Sequence, residues 1–249
     1  MTEEVGKPQT RIPQSAAVFG ANGGIGRALC ERLIARGCTT VHAGSRGGVE
    51  PHDDHIRPFA FDLTNESSIA QAAKTMRDQP PEWIIVASGV LTLADGTGPE
   101  RTLKRLDPAA MTEVFALNTI GPAIIAKHML PLMPREQRFV LAALSARVGS
   151  ISDNGLGGWH SYRASKAALN MLLKNFAIEM RRTHPDGVVA GLHPGTVDTR
   201  LSEPFQSNLP EGQLTEAQEV ADMLLDVLGS LNSDDSGKVF DYAGAEVPA

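Results

Sequence analysis

Tyr162 and Lys166 form the pair of residues in this sequence that points most directly to chemistry. They stand four positions apart in the helical pattern of residues 160–182, so they share one helix face with their Cβ atoms about 5–6 Å apart. An ammonium group at that distance favours the tyrosinate and is expected to lower the phenol pKa from its usual value of about 10, as a general acid near neutral pH requires. Taken alone, the pair also fits an ordinary solvated helix face.

Ser145 places a hydroxyl directly after the apolar run "RFVLAAL". That run predicts a buried strand, and doubly wound folds bind their ligands at the carboxyl edge of the sheet, where such a strand ends. We therefore expect the Ser145 hydroxyl to donate a hydrogen bond to a substrate carbonyl. Trp159 and His160, just before Tyr162, either shape the same substrate pocket or serve as a packed indole and a surface imidazole.

The stretch "VFGANGGIGRAL", residues 18–29, concentrates glycine where a strand passes into a helix. Such a turn leaves unpaired N–H groups and the positive end of the helix dipole directed at one point, which suits a pyrophosphate. Gly20 is expected to make the tight turn, Gly24 to let the pyrophosphate approach the backbone, and Gly26 to let the helix lie close to the sheet. The sequence therefore predicts a dinucleotide site.

The end of the second predicted strand, "AGSRG", bears on the choice of dinucleotide. An acidic residue about 20 positions after the glycines typically holds a ribose 2′-hydroxyl, whereas an arginine accommodates a 2′-phosphate. Here Ser45 and Arg46 occupy that place and no carboxylate does. We predict NADP as the cofactor, with NAD as the alternative.

Seven short apolar runs alternate with helical patterns at 24–36, 66–78, 108–132, 160–182 and 215–229. Runs without in-and-out alternation, separated by helices, predict a parallel sheet buried on both faces. The expected fold class is α/β: a doubly wound, three-layer Rossmann arrangement that forms one domain over the whole chain. The segment "SRGGVEPHDDH" is too short for a crossover helix, so it predicts a loop between the second and third strands.

Two segments differ from this pattern. Residues 1–13 are polar and predict a flexible arm, whereas residues 196–214 lack clear periodicity and predict a loop that covers the substrate. Leu201, Phe205 and Leu209 in that loop suggest an apolar or mixed ligand.

The glycine pattern, Ser145 and the spacing of Tyr162 and Lys166 together resemble the classical short-chain dehydrogenase/reductase family, over about residues 15–245. Within the family, the segments "DPAAMTEVFALNTIGP", "SYRASKAALNMLLKNFAIE" and "GKVFDYAGAEVP" are similar to the C-factor-type subgroup. The resemblance implies hydride transfer between a nicotinamide and a carbonyl or alcohol carbon. Because that subgroup is associated with cell–cell signalling in some bacteria, the alternative is a nucleotide-binding regulatory protein with weak or incidental catalysis.

The resemblance implies four catalytic residues. Ser145 polarises the substrate oxygen, Tyr162 exchanges the proton, and Lys166 lowers the tyrosine pKa and binds the ribose. Asn118, in "ALNTIGP", resembles the helix asparagine that holds a proton-relay water near the lysine. An asparagine in a helix can instead bond only to nearby backbone.

Further cofactor contacts follow from matches to family motifs. Asp62, with Leu63 beside it, resembles the acidic residue that meets the adenine ring, and "HPGTVDT" resembles the Pro-Gly motif that borders the nicotinamide. In "ASGV", Ala87 and Ser88 replace the two asparagines of the family's Asn-Asn-Ala-Gly motif, which affects the hydrogen bonds at the strand end. The expected cofactor contacts are Gly20, Asn22, Gly24, Ile25, Gly26, Ser45, Arg46, Asp62, Leu63, Ser88, Gly89, Tyr162, Lys166, Pro194, Gly195, Val197 and Thr199.

Composition and charge argue against several other classes of protein. The net charge of −6 and the scattered Lys and Arg residues disfavour nucleic acid as a partner. Because no apolar run approaches the roughly 20 residues of a membrane helix and the polar N-terminus lacks a signal-peptide pattern, we expect a cytoplasmic protein without a membrane partner. Cys30 and Cys38 are expected to be reduced packing residues. The adjacent residues "HDDH", 52–55, seldom converge on one ion in a loop, so we expect no metal site.

The expected partner is therefore a small-molecule carbonyl or alcohol. The family resemblance also implies a homodimer or homotetramer, with the helices over 108–132 and 160–182 at the interface.

Overall fold

A computed structural model describes residues 10–50, 53–208 and 214–249 of the chain. Its centre is a seven-stranded sheet in the order β3-β2-β1-β4-β5-β6-β7, in which every neighbouring pair is parallel. The strands are β1 (Ser15–Phe19), β2 (Thr40–Ser45), β3 (Ile56–Ala60), β4 (Trp83–Val86), β5 (Val140–Leu144), β6 (Val188–His193) and β7 (Val239–Asp241). The doubly wound α/β fold predicted from the sequence is confirmed.

Helices cover both faces of this sheet. Those of the described residues are α1 (Gly24–Ala35), α2 (Glu66–Thr75), α3 (Pro108–Phe115), α4 (Gly121–Met129), α5 (His160–Met180) and α6 (Ala217–Ser230). A π-helical turn, Ala116–Ile120, joins α3 to α4, so one helical rod follows the segment predicted over 108–132. The described residues between β2 and β3 contain only turns and bends, as the sequence predicted.

Successive residues of each central strand alternate between two apolar clusters, one on each face of the sheet. Ala16 and Val18 of β1 belong to the cluster that α1 and α6 cover, whereas Ala17 and Phe19 belong to the cluster that α2, α4 and α5 cover. All four residues are 0% exposed, because helices exclude water from both faces of a parallel sheet. The carboxyl edge of the sheet is therefore where its strands can present polar groups.

The strand order changes direction at β1, which lies between β2 and β4. The chain first runs outward from β1 to β3 and then returns to β4 on the other side of β1. A crevice forms at the carboxyl ends of the strands at such a switch point, and it is the usual ligand site of open α/β sheets. Residues 20–26 follow β1 and residues 87–89 follow β4, so both predicted motifs border this crevice.

The described part of the N-terminal arm is packed against the rest of the domain. Arg11 forms a 3.0 Å salt bridge with Glu82, and Ile12 lies against the apolar cluster under α1 and α6. Residues 10–13 are therefore held in place by contacts that the polar sequence of the arm did not reveal. Residues 1–9 lie outside the described residues.

The helical rod Pro108–Leu132 is the one stretch of the described residues with enough length and apolar character to cross a membrane, at a mean hydropathy of 1.4. No continuous apolar run marks this rod in the sequence, because polar residues interrupt its apolar ones. Ile125 and Met129 of this rod are 0% exposed against the sheet, so packing in the core accounts for part of its apolar character.

Candidate active site

The glycine-rich turn after β1 brings the backbone of three segments into contact. Gly20 has a φ of +106°, and the N–H groups of Gly20 and Ala21 both donate to the Gly44 carbonyl of β2, at 2.9 and 2.8 Å. A Cβ atom at Gly26 would collide with the Gly20 carbonyl oxygen, and one at Gly24 would lie 2.5 Å from Thr199 Cγ2. The absence of side chains therefore lets helix α1 start close against β1.

The start of α1 is suited to bind an anion. Gly23, its N-cap residue, has no side chain that could accept from the first-turn N–H groups, and that turn contains no acidic residue. The exposed N–H groups and the positive end of the helix dipole lie in the crevice at the switch point. The uncapped helix start fits the pyrophosphate of a dinucleotide. The missing side chains at Gly24 and Gly26 make room for Thr199 and for the Gly20 carbonyl.

Asn22, Ser45 and Arg46 lie together at the end of β2. The Asn22 side-chain amide donates to Ser45 Oγ at 3.0 Å and to the Gly48 carbonyl at 3.0 Å, which ties the glycine-rich turn to this strand end. Arg46 is exposed, and no carboxylate of the described residues forms a salt bridge with it. Its guanidinium is thus available to a negatively charged ligand.

Asp62 lies near Arg46 and makes a local turn. Its Oδ1 atom accepts hydrogen bonds from the Thr64 hydroxyl at 2.6 Å and the Thr64 N–H at 2.8 Å. These bonds, with a smaller contribution from the charge of Arg46, hold the pKa of the Asp62 carboxyl below its ordinary value. Leu63 packs where a Cβ at Gly121 would stand, so the absence of a side chain at Gly121 brings the two segments together.

The turn after β4 meets Asn118 in the interior. Ser88 Oγ donates to the Phe19 carbonyl at 3.0 Å, so a serine supplies a strand-end hydrogen bond at the place where the sequence departs from the family motif. A Cβ at Gly89 would lie 3.1 Å from Asn118 Oδ1 and 3.5 Å from Lys166 Nζ. Gly89, Asn118 and Lys166 are therefore neighbours, as expected for one site.

Asn118 is 0% exposed and lies in the π-helical turn between α3 and α4. Its amide accepts from the Val90 N–H and donates to the Val90 carbonyl, both at 2.8 Å, and donates to Ser165 Oγ at 3.3 Å. The side chain thus joins the turn after β4 to helix α5. Two of these bonds are to the backbone of Val90, 28 residues away, so Asn118 does not bond only to nearby backbone, which was the alternative role considered for it.

Tyr162 and Lys166 lie on one face of α5, with Lys166 Nζ 5.8 Å from the centroid of the Tyr162 ring. Nζ donates to the Leu144 carbonyl at 2.8 Å, and Lys166 is only 4% exposed. Burial lowers the pKa of Lys166 to about 8 and raises the pKa of Tyr162 to about 12. The expectation that the cation lowers the phenol pKa is therefore wrong for this structure, because burial of the phenol disfavours its charged form.

The Ser145 hydroxyl has a partner that the sequence analysis missed. Ser145 Oγ donates to Asn170 Oδ1 at 2.6 Å, and Ser145 is only 4% exposed. Its hydroxyl is thus committed to helix α5 instead of being directed at a substrate. Asn170 follows Lys166 by four residues, as Lys166 follows Tyr162, so the helical spacing could have identified it.

Glu100 is a second residue that the sequence analysis missed. Although only 8% exposed, its carboxylate accepts a hydrogen bond from the Ser161 N–H at 3.0 Å and another from the Ser161 hydroxyl. The Glu100 carbonyl accepts from the N–H of Trp159, whose φ of +48° is in the left-handed region. The start of α5 is therefore fixed by a residue 61 positions earlier in the chain.

A cavity of about 620 Å³ opens beside Tyr162. Its lining includes the apolar side chains of Leu91, Leu93 and Val114 together with the charged side chains of Arg101 and Arg105. A cavity of this size holds a small organic molecule. Trp159 packs edge-on against the Tyr162 ring, with the centroids 6.2 Å apart, so it helps to orient the phenol.

The segment after β6 reaches across to the glycine-rich turn. Gly195 has a φ of +76° and lies against the ring of Tyr242, and Thr199 meets Gly24 as described above. Val197 is buried and forms a parallel bridge with Thr215. Of the predicted contacts after β6, Thr199 is therefore the one placed at the start of α1, where a bound dinucleotide would lie.

Part of the expected covering loop can be located. Leu201 is 41% exposed, and it lines a small cavity of about 220 Å³ together with Gly89 and Val90. The side chain of Phe205 and all of Leu209 lie outside the described residues.

In the part of the chain that the structure describes, no three His, Cys, Asp or Glu residues could hold a metal ion; His52 of the "HDDH" stretch falls outside that part.

Comparison with known proteins gives a family and several relatives. A family model for short chain dehydrogenases matches residues 14–210. The C-signal protein of Myxococcus xanthus is 37% identical over 144 residues, which cover 57% of this chain and 81% of that protein. The 1-hydroxy-2-glutathionyl-2-methyl-3-butene dehydrogenase of Rhodococcus sp. (strain AD45) is 29% identical over 226 residues, which cover 89% and 93%.

Solved structures show the same fold. The NADPH-bound carbonyl reductase from chicken fatty liver superposes with a TM-score of 0.80 at 24% identity, over 97% of this chain and 96% of that chain. The carbonyl reductase Sniffer of D. melanogaster gives a TM-score of 0.80 at 19% identity, over 95% and 99%. At these identities the likeness concerns the arrangement of strands and helices.

Proposed function

The chain belongs to the short-chain dehydrogenase/reductase family of NAD(P)-dependent oxidoreductases, and on that premise we propose that it transfers hydride between NADP and a carbonyl or alcohol carbon. The observation that carries this proposal is the position of Tyr162. Its ring lines the cavity of about 620 Å³, and Lys166 lies on the same helix face with its ammonium group 5.8 Å from that ring. A proton donor thus borders the space in which a substrate fits.

The residues proposed to hold the dinucleotide are those that the glycine-rich turn and the family motifs indicate around the crevice. Its pyrophosphate would lie against the N–H groups of the turn from Gly20 to Gly26, and Asp62 and Leu63 would border the adenine. The turn after β4 and the segment 194–199 would border the nicotinamide. The nicotinamide, when bound, supplies or accepts the hydride.

The side chains of this protein then handle the proton. In the direction of reduction, the Tyr162 phenol donates its proton to the substrate oxygen while the neighbouring carbon receives the hydride, so an alcohol forms. The positive charge of Lys166 stabilises the phenolate that remains. Ser145 and Asn118 support this geometry through Asn170 and Val90, in addition to any contact they make with substrate or water.

NADP is favoured over NAD by Ser45 and Arg46 at the end of β2. A free guanidinium there can pair with a 2′-phosphate, and no carboxylate on β2 is placed to hold a 2′-hydroxyl. We expect the purified protein to oxidise NADPH faster than NADH, and the Arg46→Asp variant to shift the preference towards NADH. A wild type that prefers NADH would overturn the choice of NADP.

A panel of ketones, aldehydes and alcohols, followed by absorbance of the reduced nicotinamide with both cofactors, tests the activity itself. The Tyr162→Phe variant should lose turnover while still binding NADPH. Full activity in that variant would remove Tyr162 from the mechanism.

A regulatory nucleotide-binding function is the second candidate. It is supported by the 37% identity with the C-signal protein and by the Ser145 hydroxyl, whose bond to Asn170 leaves the substrate oxygen without this donor. Tight NADPH binding without turnover on the whole panel would favour it over catalysis.

The proposed assembly is a homodimer or homotetramer in the cytoplasm. Helix α5 carries apolar side chains on its outer face, since Met171 is 62% and Ile178 52% exposed. Ile120, at the start of α4, is 54% exposed. Burying these side chains against a second copy would remove apolar surface from water, and sedimentation measurements of the wild type and a Met171→Glu, Ile178→Glu variant test this interface.

A further inference from the structure

The segment that fixes the start of α5 also supplies charge to the cavity beside Tyr162. Glu100 is bonded to Ser161, the residue before Tyr162, and Arg101 is the next residue in the chain. Arg101 and Arg105 both line the cavity. Because Glu100 anchors this segment to helix α5, the two guanidinium groups border the same space as the phenol.

The acidic residues of the cavity already have other partners. Glu100 accepts from Ser161 at the start of α5, and Asp107 Oδ1 accepts from the Ala110 N–H at 2.8 Å as the N-cap of α3. Both carboxylates are thus placed at the positive ends of helices, which stabilises their charges. Both carboxylates keep their charges in these capping interactions, and among the described residues neither forms a salt bridge with Arg101 or Arg105.

The two arginines themselves have no ionic partner among the described residues. Neither forms a salt bridge, whereas Arg11, Arg36 and Arg147 each pair with a carboxylate. An arginine fork recognises carboxylate oxygens in bidentate geometry, and two of them beside an apolar wall can hold one anionic group. The apolar side chains of Leu91, Leu93 and Val114 would contact the rest of the ligand.

On the premise of the proposed oxidoreductase function, we propose that Arg101 and Arg105 bind an anionic group of the substrate. The substrate class is then a carbonyl compound, or its alcohol, that carries a carboxylate or a similar oxygen anion. The anionic end lies at the arginines, and the carbonyl oxygen lies at Tyr162. Arg101 and Arg105 are specificity-determining residues in this arrangement.

A matched pair of ketones tests the proposal. 4-Acetylbenzoate and 4-acetylbenzamide have nearly the same shape and differ in charge. With NADPH, kcat/KM for the benzoate should exceed that for the benzamide by about tenfold, since a hydrogen bond from an arginine to a charged group is stronger than one to a neutral group. The preference should fall as KCl rises from 50 to 500 mM, because salt screens partly exposed charges.

The Arg101→Gln, Arg105→Gln double variant should bring the ratio of the two kcat/KM values close to one. Lys104→Gln is the matched control, because Lys104 lies in the same 3₁₀ turn as Arg105 but does not line the cavity. This control should keep the wild-type ratio. A wild-type ratio near one, or a ratio that the double variant leaves unchanged, would overturn the proposal.

Direct binding separates this proposal from the proposed function. Titration of the NADPH-loaded protein with 4-acetylbenzoate measures the anion site even when no turnover occurs. Binding that is weakened about tenfold in the double variant, together with absent turnover in the wild type, would support the anion site and contradict the oxidoreductase function. Equal affinity of wild type and double variant for the benzoate would overturn the anion site.

Discussion

The Glu100 carboxylate accepts hydrogen bonds from both the backbone N–H and the hydroxyl of Ser161, the residue that immediately precedes Tyr162. The helix that carries the proton donor has no side-chain N-cap of its own, because Trp159 occupies the cap position. Glu100 therefore takes the place of a cap from another part of the chain. The position of the phenol depends on a residue that lies far from it in sequence.

Replacing Glu100 tests this dependence. Glu100→Ala removes both acceptors of Ser161, so we expect kcat to fall at least tenfold and the free energy of unfolding to fall by about 2 kcal/mol. Glu100→Gln keeps one acceptor oxygen and should lie between the alanine variant and the wild type. Steady-state kinetics and thermal unfolding measure the two effects.

The control for Glu100 is Glu113→Ala, which removes an exposed carboxylate from α3 without touching Ser161. It should leave both measurements near the wild-type values. If Glu100→Ala lowers stability but leaves kcat unchanged, the position of Tyr162 does not depend on Glu100.

Lys166 predicts a pH dependence of the reduction. Because burial lowers its pKa to about 8, the ammonium group is lost as the pH rises from about 7 to about 9. Tyr162, with its pKa raised to about 12, keeps its proton over the same range. The kcat/KM for carbonyl reduction should therefore decline above about pH 8, and a profile that stays flat to pH 10 would contradict the assignment.

Lys174→Met is the control for this pH profile, since Lys174 is an exposed lysine on the same helix.

The same burial of Lys166 has a consequence for folding. Its folded-state pKa of about 8 lies below the ordinary value of 10.5, so the unfolded chain holds this proton over a range in which the folded chain has lost it. The contribution of Lys166 to the free energy of unfolding should thus become more favourable as the pH rises from about 8 towards 10.5.

Gly26→Ala should weaken dinucleotide binding. The added Cβ collides with the Gly20 carbonyl oxygen, so α1 must move away from the turn that would hold the pyrophosphate. We expect the Kd for NADPH to rise at least tenfold and the free energy of unfolding to fall by about 1–3 kcal/mol. Titration of NADPH fluorescence measures the first effect.

Gly155→Ala serves as the control for Gly26→Ala, because a Cβ at Gly155 meets nothing within 4 Å and its φ is not positive. It should leave the affinity for NADPH unchanged. Wild-type affinity in Gly26→Ala would show that the close start of α1 is unnecessary for binding.

Ser145 and Asn170 are suited to a double-mutant cycle. If their hydrogen bond is the main role of Ser145, then Ser145→Ala and Asn170→Ala should lower kcat by similar factors, within about threefold of each other, and the double variant should add little. Direct polarisation of the substrate by Ser145 would instead make Ser145→Ala far more damaging than Asn170→Ala. Single-turnover rates with saturating NADPH distinguish the two outcomes.

The sequence was sufficient for the sheet and for the place of the site, because strand and helix periodicity and the glycine spacing are local signals. The sequence was insufficient to predict the pKa values of Tyr162 and Lys166. The spacing of Tyr162 and Lys166 fixes their proximity, but their pKa values depend on burial by elements distant in the chain. The role of Glu100 could not be found either, because its hydrogen bond with Ser161 joins residues 61 positions apart in the chain.

The π-helical turn at Ala116–Ile120 sets the rotational phase of everything that follows it in α4. An α-helix advances about 100° per residue, so the extra residue of the wide turn rotates Ile125 and Met129 onto the sheet while Asn118 still points at Val90. Deleting one residue here would give a regular helix that faces the sheet with the wrong side. The wide turn thus lets Asn118 face the site while Ile125 and Met129 face the core, within one continuous helical rod.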